Sequence, residues 1–153
     1  MPDIVIRLLV VVLVSLLTWL LVWSGRRFVE ARRQRVLAAP VSERESTANF
    51  IDSNASLAPV RILAFGSADC QQCHRLQKPA LNRLLEKRGE SISVMEIDAP
   101  SAPEMTQRYQ VLTLPTTVVL DAKGKAHAIN YGFANLQRLL EQVDNVMALQ
   151  DVH

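Results

Sequence analysis

The distribution of apolar and polar residues divides the chain into an apolar first segment, a polar middle and a regularly patterned remainder. Residues 4–23 are almost wholly apolar and are interrupted only by Arg7, Ser15 and Thr18. A helix of about twenty residues is roughly 30 Å long, which matches the hydrocarbon core of a bilayer. Because a soluble helix of this length usually carries a polar face, the pattern predicts one transmembrane anchor within residues 1–25.

The charges beside this helix predict whether it is retained as an anchor and how it is oriented in the membrane. Five arginines follow it, at positions 26, 27, 32, 33 and 35, whereas only Arg7 and the terminal amine lie near its start. A cleaved signal peptide has the opposite order, with positive charge before the apolar run. We therefore predict a retained, single-pass membrane anchor. Since arginines beside a spanning helix stay on the cytoplasmic side, the rest of the chain is predicted to be cytoplasmic.

Residues 26–57 are predicted to form a basic juxtamembrane segment and a polar linker. The arginines suit the headgroups of anionic lipids, so the lipid bilayer is a predicted partner. From residue 40 to residue 59 the composition is polar and shows neither helical nor strand periodicity. A flexible tether of about 20 residues has an end-to-end distance of roughly 25 Å.

The patterned remainder, residues 58–153, is predicted to be one α/β domain. A short apolar run over 60–65 predicts a buried strand, and the residues from Gly66 onward break it. A helix with apolar residues at helical spacing follows and is predicted to end near Gly89, with a kink at Pro79. Residues 92–97 alternate and predict a second strand.

A short helix is predicted next, from its start signals. Ser101 followed by Glu104 three residues later forms a capping-box pattern, and Pro103 suits a first helical turn. This helix is predicted to end near Gln110.

A hairpin and a last helix complete the domain. The β-branched residues of 116–120 predict a strand, a turn with Gly124 at positive φ follows, and 125–131 predict the returning strand, which ends at Gly132. Leu136, Leu139, Leu140 and Val143 recur at helical spacing. The first strand–helix–strand unit predicts parallel neighbours and the hairpin adds antiparallel ones, which gives a mixed sheet with helices on both faces.

Charge and cysteine content narrow the chemistry. The net charge is about +2, with 17 basic and 15 acidic residues, so no basic field predicts a nucleic-acid partner. The chain has two cysteines, three positions apart. A disulfide framework for a small secreted fold would need more pairs at longer spacings, so the cysteines indicate a local site.

Cys70 and Cys73 lie where the first strand gives way to the first long helix of the domain. At this spacing the sulfurs can bond within one helical turn. The amides and partial positive charge of a helix N-terminus stabilise a thiolate, which predicts Cys70 as attacking nucleophile and Cys73, one turn further in and buried, as resolving thiol. His74 and Arg75 favour the thiolate and Asp69 opposes it, so these three are predicted to tune it.

Residues 60–146 resemble the thioredoxin family. The resemblance rests on the strand before the motif Cys70-Gln71-Gln72-Cys73, on the helix after it, on Asp98, on Tyr109-Gln110-Val111-Leu112-Thr113-Leu114-Pro115-Thr116, and on Gly124 and Gly132. It implies a thioredoxin-like fold, a redox-active Cys70–Cys73 disulfide and no cofactor. It also implies that Pro115 is a cis-proline facing the disulfide, with the Leu114 backbone presented to a substrate peptide.

The function implied by these features is a membrane-tethered thiol–disulfide oxidoreductase that reduces disulfides of membrane-proximal partner proteins. Its substrates would be protein disulfides or thiols. An upstream electron donor such as a thioredoxin reductase would supply the reducing equivalents.

The chain departs from the thioredoxin pattern around the motif. Asp69 stands where thioredoxins usually carry tryptophan, and Gln71-Gln72 stand in place of glycine and proline. The family's buried acid falls at Ala64 and its lysine partner at Val94, and the helix proline lies one position later than in most thioredoxins. These departures favour a specialised partner.

Three alternatives use the same residues differently. Cys70, Cys73 and His74 match the C-x-x-C-H pattern of c-type haem attachment, although haem modules of this size are mainly helical. The same three side chains could bind a metal, but structural zinc needs four ligands and no fourth is evident. A thioredoxin-fold binding module without turnover is the third alternative.

Overall fold

A computed structural model of the chain describes residues 2–38 and 58–150. The chain divides into two compact units, Met1–Arg35 and Val36–His153. Residues 39–57 of the predicted juxtamembrane segment and linker lie outside the described residues, as do residues 151–153.

The first unit consists of most of the helix α1, Pro2–Ala38, which continues beyond the predicted end of the anchor at residue 25. Its segment Leu9–Ala31 is long and apolar enough to cross a membrane, with a mean hydropathy of 1.9. The Ser15 hydroxyl donates to the Val11 carbonyl at 2.8 Å, and this bond keeps its polar group within the helix. Trp19 and Trp23 stack with their ring centroids 6.4 Å apart.

The second unit is built on a mixed four-stranded sheet in the order β2–β1–β3–β4. The strands are β1, Val60–Gly66; β2, Ile92–Asp98; β3, Thr116–Asp121; and β4, Ala126–Tyr131. Strand β1 is parallel to β2 and antiparallel to β3, and β3 is antiparallel to β4. The predicted parallel unit and hairpin are both confirmed.

Helices cover both faces of this sheet, as predicted. They are α2, Lys78–Arg88; α3, Pro103–Arg108; and α4, Leu136–Gln150. Positive φ angles of 76° at Gly124 and 86° at Gly132 allow the hairpin turn and the end of β4, because residues with a side chain rarely adopt them.

The interruption predicted at Pro79 takes the form of a π-helical turn over Cys73–Gln77, directly before α2. The Lys78 N–H donates to the Cys73 carbonyl, five residues back. Proline has no N–H to continue the regular ladder, so it is accommodated in the first turn of a new α-helical segment. Gly89, with φ of 50°, follows the last residue of α2, as the sequence predicted.

The predicted capping box at the start of α3 is wrong. Ala102 is the N-cap residue, and no side chain caps this helix. The Ser101 hydroxyl donates instead to the Asp98 carboxylate, three residues earlier. A hydrogen bond donated to a charged carboxylate is stronger than one accepted from a backbone N–H, so the Ser101 hydroxyl turns toward Asp98. Pro103 lies in the first turn, as predicted.

Two apolar cores lie on opposite faces of the sheet. The core beneath α2 and α4 contains Val60, Ile62, Leu81, Leu84, Leu139, Val143 and Val146. The core on the other face contains Leu63, Phe65, Tyr109, Val118, Leu120 and Ile129, with Met105 of α3 packed against it. Strand β1 contributes alternate side chains to both cores, which explains why its sequence is a continuous apolar run.

Leu84 provides a test of the first core. Its side chain is 0% exposed, whereas that of Leu85, on the same helix, is 37% exposed. Leu84→Ala should lower the free energy of unfolding by about 2–5 kcal/mol, because it removes buried contacts and leaves a cavity. Leu85→Ala should cost about 1 kcal/mol or less. Urea denaturation of the full chain in detergent measures both, and equal losses would contradict the assigned burial.

Candidate active site

The two cysteines lie just beyond the carboxyl end of β1, at the start of the helical segment. The Cys70 N–H donates to the Ser67 carbonyl at 3.1 Å, which closes the turn between strand and helix. The sulfurs of Cys70 and Cys73 are bonded to each other, with Cα atoms 5.3 Å apart. The predicted disulfide pair is therefore present at the predicted place.

A backbone amide is directed at the sulfur of Cys70. The Cys73 N–H donates to Cys70 Sγ with a nitrogen–sulfur distance of 3.2 Å. An amide donor in this position stabilises negative charge on that sulfur, and the helix start adds partial positive charge. The roles of Cys70 as attacking nucleophile and Cys73 as resolving thiol stay predictions.

The predicted burial of Cys73 is wrong, because both cysteines are partly exposed. A cavity of about 290 Å³ lies beside Cys73 and is also lined by Ala64, Gly66 and Pro115. Ala64 and Gly66 have little or no side chain to fill this space. Gly66 approaches closely, since a Cβ atom built on it would lie 3.4 Å from Cys73 Sγ.

The Leu114–Pro115 peptide bond is cis, as the resemblance implied. Pro115 lines the same cavity as Cys73. Its carbonyl accepts a hydrogen bond from the Gly132 N–H at 2.8 Å, which ties it to the residue that follows β4. Leu114 packs against the second core. The substrate-binding roles of Leu114 and Pro115 stay predictions.

The three predicted tuning residues differ in their contacts. His74 Nε2 lies 3.0 Å from the Ala68 carbonyl, so this nitrogen carries the proton that it donates. His74 also lines the cavity beside Cys73. Asp69 and Arg75 are exposed and are absent from the cavity lining described within residues 58–150.

Sequence reasoning missed an ion pair at this cavity. Lys78 Nζ lies 3.2 Å from Glu96 Oε2, and both residues line the cavity. The register of the parallel pair places Glu96 beside Ala64. Both side chains are more than half exposed, so the pair adds little stability. Strand register, which no local pattern reveals, brings these residues together.

A buried amide was also missed. Gln77, in the π-helical turn, bonds both backbone groups of Ala134, which follows β4. The only sequence signal was a polar residue in line with the apolar positions of an amphipathic helix, which helical periodicity alone could have marked.

A mixed sheet, a Cys-x-x-Cys pair at disulfide distance and a cis-proline beside it together define a thiol–disulfide oxidoreductase of thioredoxin-like fold. The chain belongs to the thioredoxin family, because the family model for thioredoxin matches residues 42–145. This match begins within the segment predicted as linker, in the part that the structure does not describe.

Known proteins agree with this assignment. The chloroplastic thioredoxin Y of Oryza sativa subsp. japonica is 25% identical over 126 residues, which cover 81% of this chain and 73% of that protein. Among solved structures, the germline-specific thioredoxin Deadhead of Drosophila melanogaster has a TM-score of 0.54 at 22% identity. The match covers 67% of this chain and 92% of the Deadhead chain.

A mutant thioredoxin from Halobacterium salinarum has a TM-score of 0.55 at 22% identity. The match covers 63% of this chain and 81% of the Halobacterium chain. These structural likenesses support the fold. A β-rich fold in the thioredoxin family argues against the c-type haem alternative, since haem modules of this size are mainly helical.

Replacing each cysteine separately tests the predicted roles of Cys70 as attacking nucleophile and Cys73 as resolving thiol. Cys73→Ser should trap a partner protein as a mixed disulfide on Cys70, because the thiol that resolves this bond is gone. Cys70→Ser should trap little, since the sulfur that receives the amide hydrogen bond has been removed. Non-reducing gels followed by mass spectrometry measure the adducts. Equal trapping by the two variants would refute Cys70 as the attacking residue.

Proposed function

We propose that this protein is a membrane-tethered disulfide reductase that acts on partner proteins close to the bilayer. The observation that carries the proposal is the Cys73 amide 3.2 Å from Cys70 Sγ, at a helix start beside Pro115. This arrangement supplies a stabilised nucleophile and a second sulfur within bonding distance. An oxidoreductase needs both, whereas a binding module without turnover needs neither.

The reaction proceeds in two exchanges. The Cys70 thiolate attacks one sulfur of a substrate disulfide, which forms a mixed disulfide and releases the other substrate sulfur as a thiolate. Cys73, as thiolate, then attacks the Cys70 sulfur, so the Cys70–Cys73 disulfide closes and the second substrate thiolate leaves. Each released thiolate takes a proton from solvent. Two electrons have passed from the protein to the substrate.

An external donor must return those electrons. A dithiol or a flavoprotein such as a thioredoxin reductase reduces the Cys70–Cys73 disulfide and restores both thiols. In a cytoplasmic location the reducing poise of the compartment keeps the resting protein in the dithiol form.

Residues around the motif bind substrate and adjust the thiolate. The substrate chain lies against Pro115 and the backbone of Leu114, next to the Cys70 sulfur. Arg75 adds positive charge beside the motif, Asp69 adds negative charge, and the His74 imidazole adds positive charge only in its protonated form. The His74 ring is oriented by its hydrogen bond to Ala68, which directs its other nitrogen away from that carbonyl.

In this proposal residues 1–25 anchor the chain, residues 26–57 connect it to the rest, and residues 58–153 form the redox domain. The length and apolar surface of Leu9–Ala31 support the anchor. The arginines that follow the apolar run support a single-pass orientation with the redox domain in the cytoplasm. Confinement near the bilayer raises the effective concentration toward membrane-bound partners without any added contact.

Fusions at the C-terminus test the orientation. A fluorescent protein fused after His153 should fluoresce, and alkaline phosphatase fused there should be inactive, because phosphatase needs an oxidising compartment to form its disulfides. An Arg26→Glu, Arg27→Glu variant serves as the control, since weakening the charge bias should raise phosphatase activity. An active phosphatase fusion of the unaltered chain would reverse the proposed orientation.

The equilibrium potential of the Cys70–Cys73 couple tests the direction of the reaction. Titration of the full chain in glutathione buffers should give a potential well below about −220 mV, in the range of reducing thioredoxins. A potential near the roughly −120 mV of strong oxidants would recast the protein as an oxidant of thiols.

A further inference from the structure

Gln77 is a buried polar residue in the π-helical turn that begins at Cys73. It is 3% exposed. Its Nε2 donates to the Ala134 carbonyl at 3.3 Å, and its Oε1 accepts from the Ala134 N–H at 3.0 Å. One side chain thus satisfies both backbone groups of a residue that is itself only 1% exposed. The two residues are 57 positions apart in the chain.

Ala134 belongs to a short segment, residues 132–134, that we call the post-β4 loop. Gly132, at its start, donates to the Pro115 carbonyl at 2.8 Å. Phe133, between them, is 43% exposed and so presents an apolar ring to solvent. The loop is therefore bonded at one end to the cis-proline and at the other to the turn that carries Cys73.

We propose that Gln77 is a positioning residue that holds the post-β4 loop and Pro115 in register with the Cys70–Cys73 pair, so that a protein disulfide binds productively. This inference rests on the proposed function. Gln77 bonds Ala134 and lines the cavity beside Cys73, and it acts on the reacting sulfurs through the positions of these neighbours. Its contribution is to fix the distance between the two sides of the substrate site.

Because the hydrogen bonds between Gln77 and Ala134 are buried, the position of the post-β4 loop depends on them. Without the Gln77 amide, the Ala134 N–H and carbonyl would be left unpaired in the interior, which is costly. The post-β4 loop would then move toward solvent to find partners. Because Gly132 holds the Pro115 carbonyl, that movement would reach the cis-proline.

Protein substrates and small disulfides should respond differently. In this proposal a protein disulfide brings a stretch of extended chain that contacts Pro115, in the cavity beside Cys73, and then the exposed ring of Phe133 in the post-β4 loop. A small aromatic disulfide needs little beyond access to the Cys70 sulfur. Loss of the positioning contact should therefore affect the first substrate and spare the second.

Gln77→Met tests the proposal, because methionine keeps the volume and removes both hydrogen bonds. Gln142→Met is the matched control. Gln142 makes a comparable reciprocal amide pair with Asn130, at 2.8 and 2.9 Å, between α4 and β4. Its loss should lower stability without altering the post-β4 loop. Both variants are prepared as full chains in detergent, and their free energies of unfolding are compared.

Two kinetic readouts are then taken for insulin and for a small aromatic disulfide. In Gln77→Met the KM for insulin should rise about tenfold, as expected for a lost buried hydrogen bond, with kcat and the small-disulfide rate unchanged. Gln142→Met should leave both substrates unaffected. An equal loss on both substrates, or the same KM rise in Gln142→Met, would overturn the inference.

Hydrogen exchange separates this inference from the proposed function. The amides of Gly132 and Ala134 should exchange about tenfold faster or more in Gln77→Met than in Gln142→Met, because their local structure opens more readily. If the unaltered protein reduces neither substrate, the proposed reductase function fails, whereas faster exchange still supports the positioning contact. Unchanged exchange at both amides would refute that contact whatever the activity.

Discussion

The confinement of strand β1 on its edges and on its faces is the constraint on which the rest of the redox domain depends. Its backbone is bonded to β2 on one edge and to β3 on the other, so none of its edge is left for solvent. Its side chains enter both apolar cores in alternation. A strand confined in this way cannot slip by one residue without turning each core outward. The turn that carries Cys70 therefore starts from a fixed point.

The order of elements could be predicted from the sequence because each one carries a strong local signal. The β-branched run of β3, the glycine at 124 and the apolar spacing of α4 each indicate their structure without reference to the rest of the chain. The cis bond at Pro115 came from the family resemblance, since nothing in the local residues alone distinguishes cis from trans. The residues of the candidate site were thus predictable where they belong to a recognisable motif, as Cys70, Cys73 and Pro115 do.

Each wrong or missing prediction involves either two possible hydrogen-bond partners for one side chain or a contact between residues far apart in the chain. The Ser101 hydroxyl could accept from the Glu104 N–H, as in a capping box, or donate to the Asp98 carboxylate, and the capping-box pattern does not register that Asp98 is charged. The exposure of Cys73 depends on the small side chains of Ala64 and on Gly66, whose effect on packing appears only once strand and helix meet. The bonds of Gln77 join residues far apart in the chain, so periodicity could at most mark the residue as unusual.

The direction of β1 has a steric consequence. The described part of the redox domain begins at Ala58, just before the first residue of β1, and the disulfide follows the last residue of β1. Seven residues of strand separate the two ends by about 20 Å. The Gln150 side chain donates to the Pro59 carbonyl at 3.0 Å, so the end of α4 lies at the same pole of the redox domain as Ala58. Within residues 58–150 the disulfide therefore lies at the pole opposite Ala58 and the end of α4.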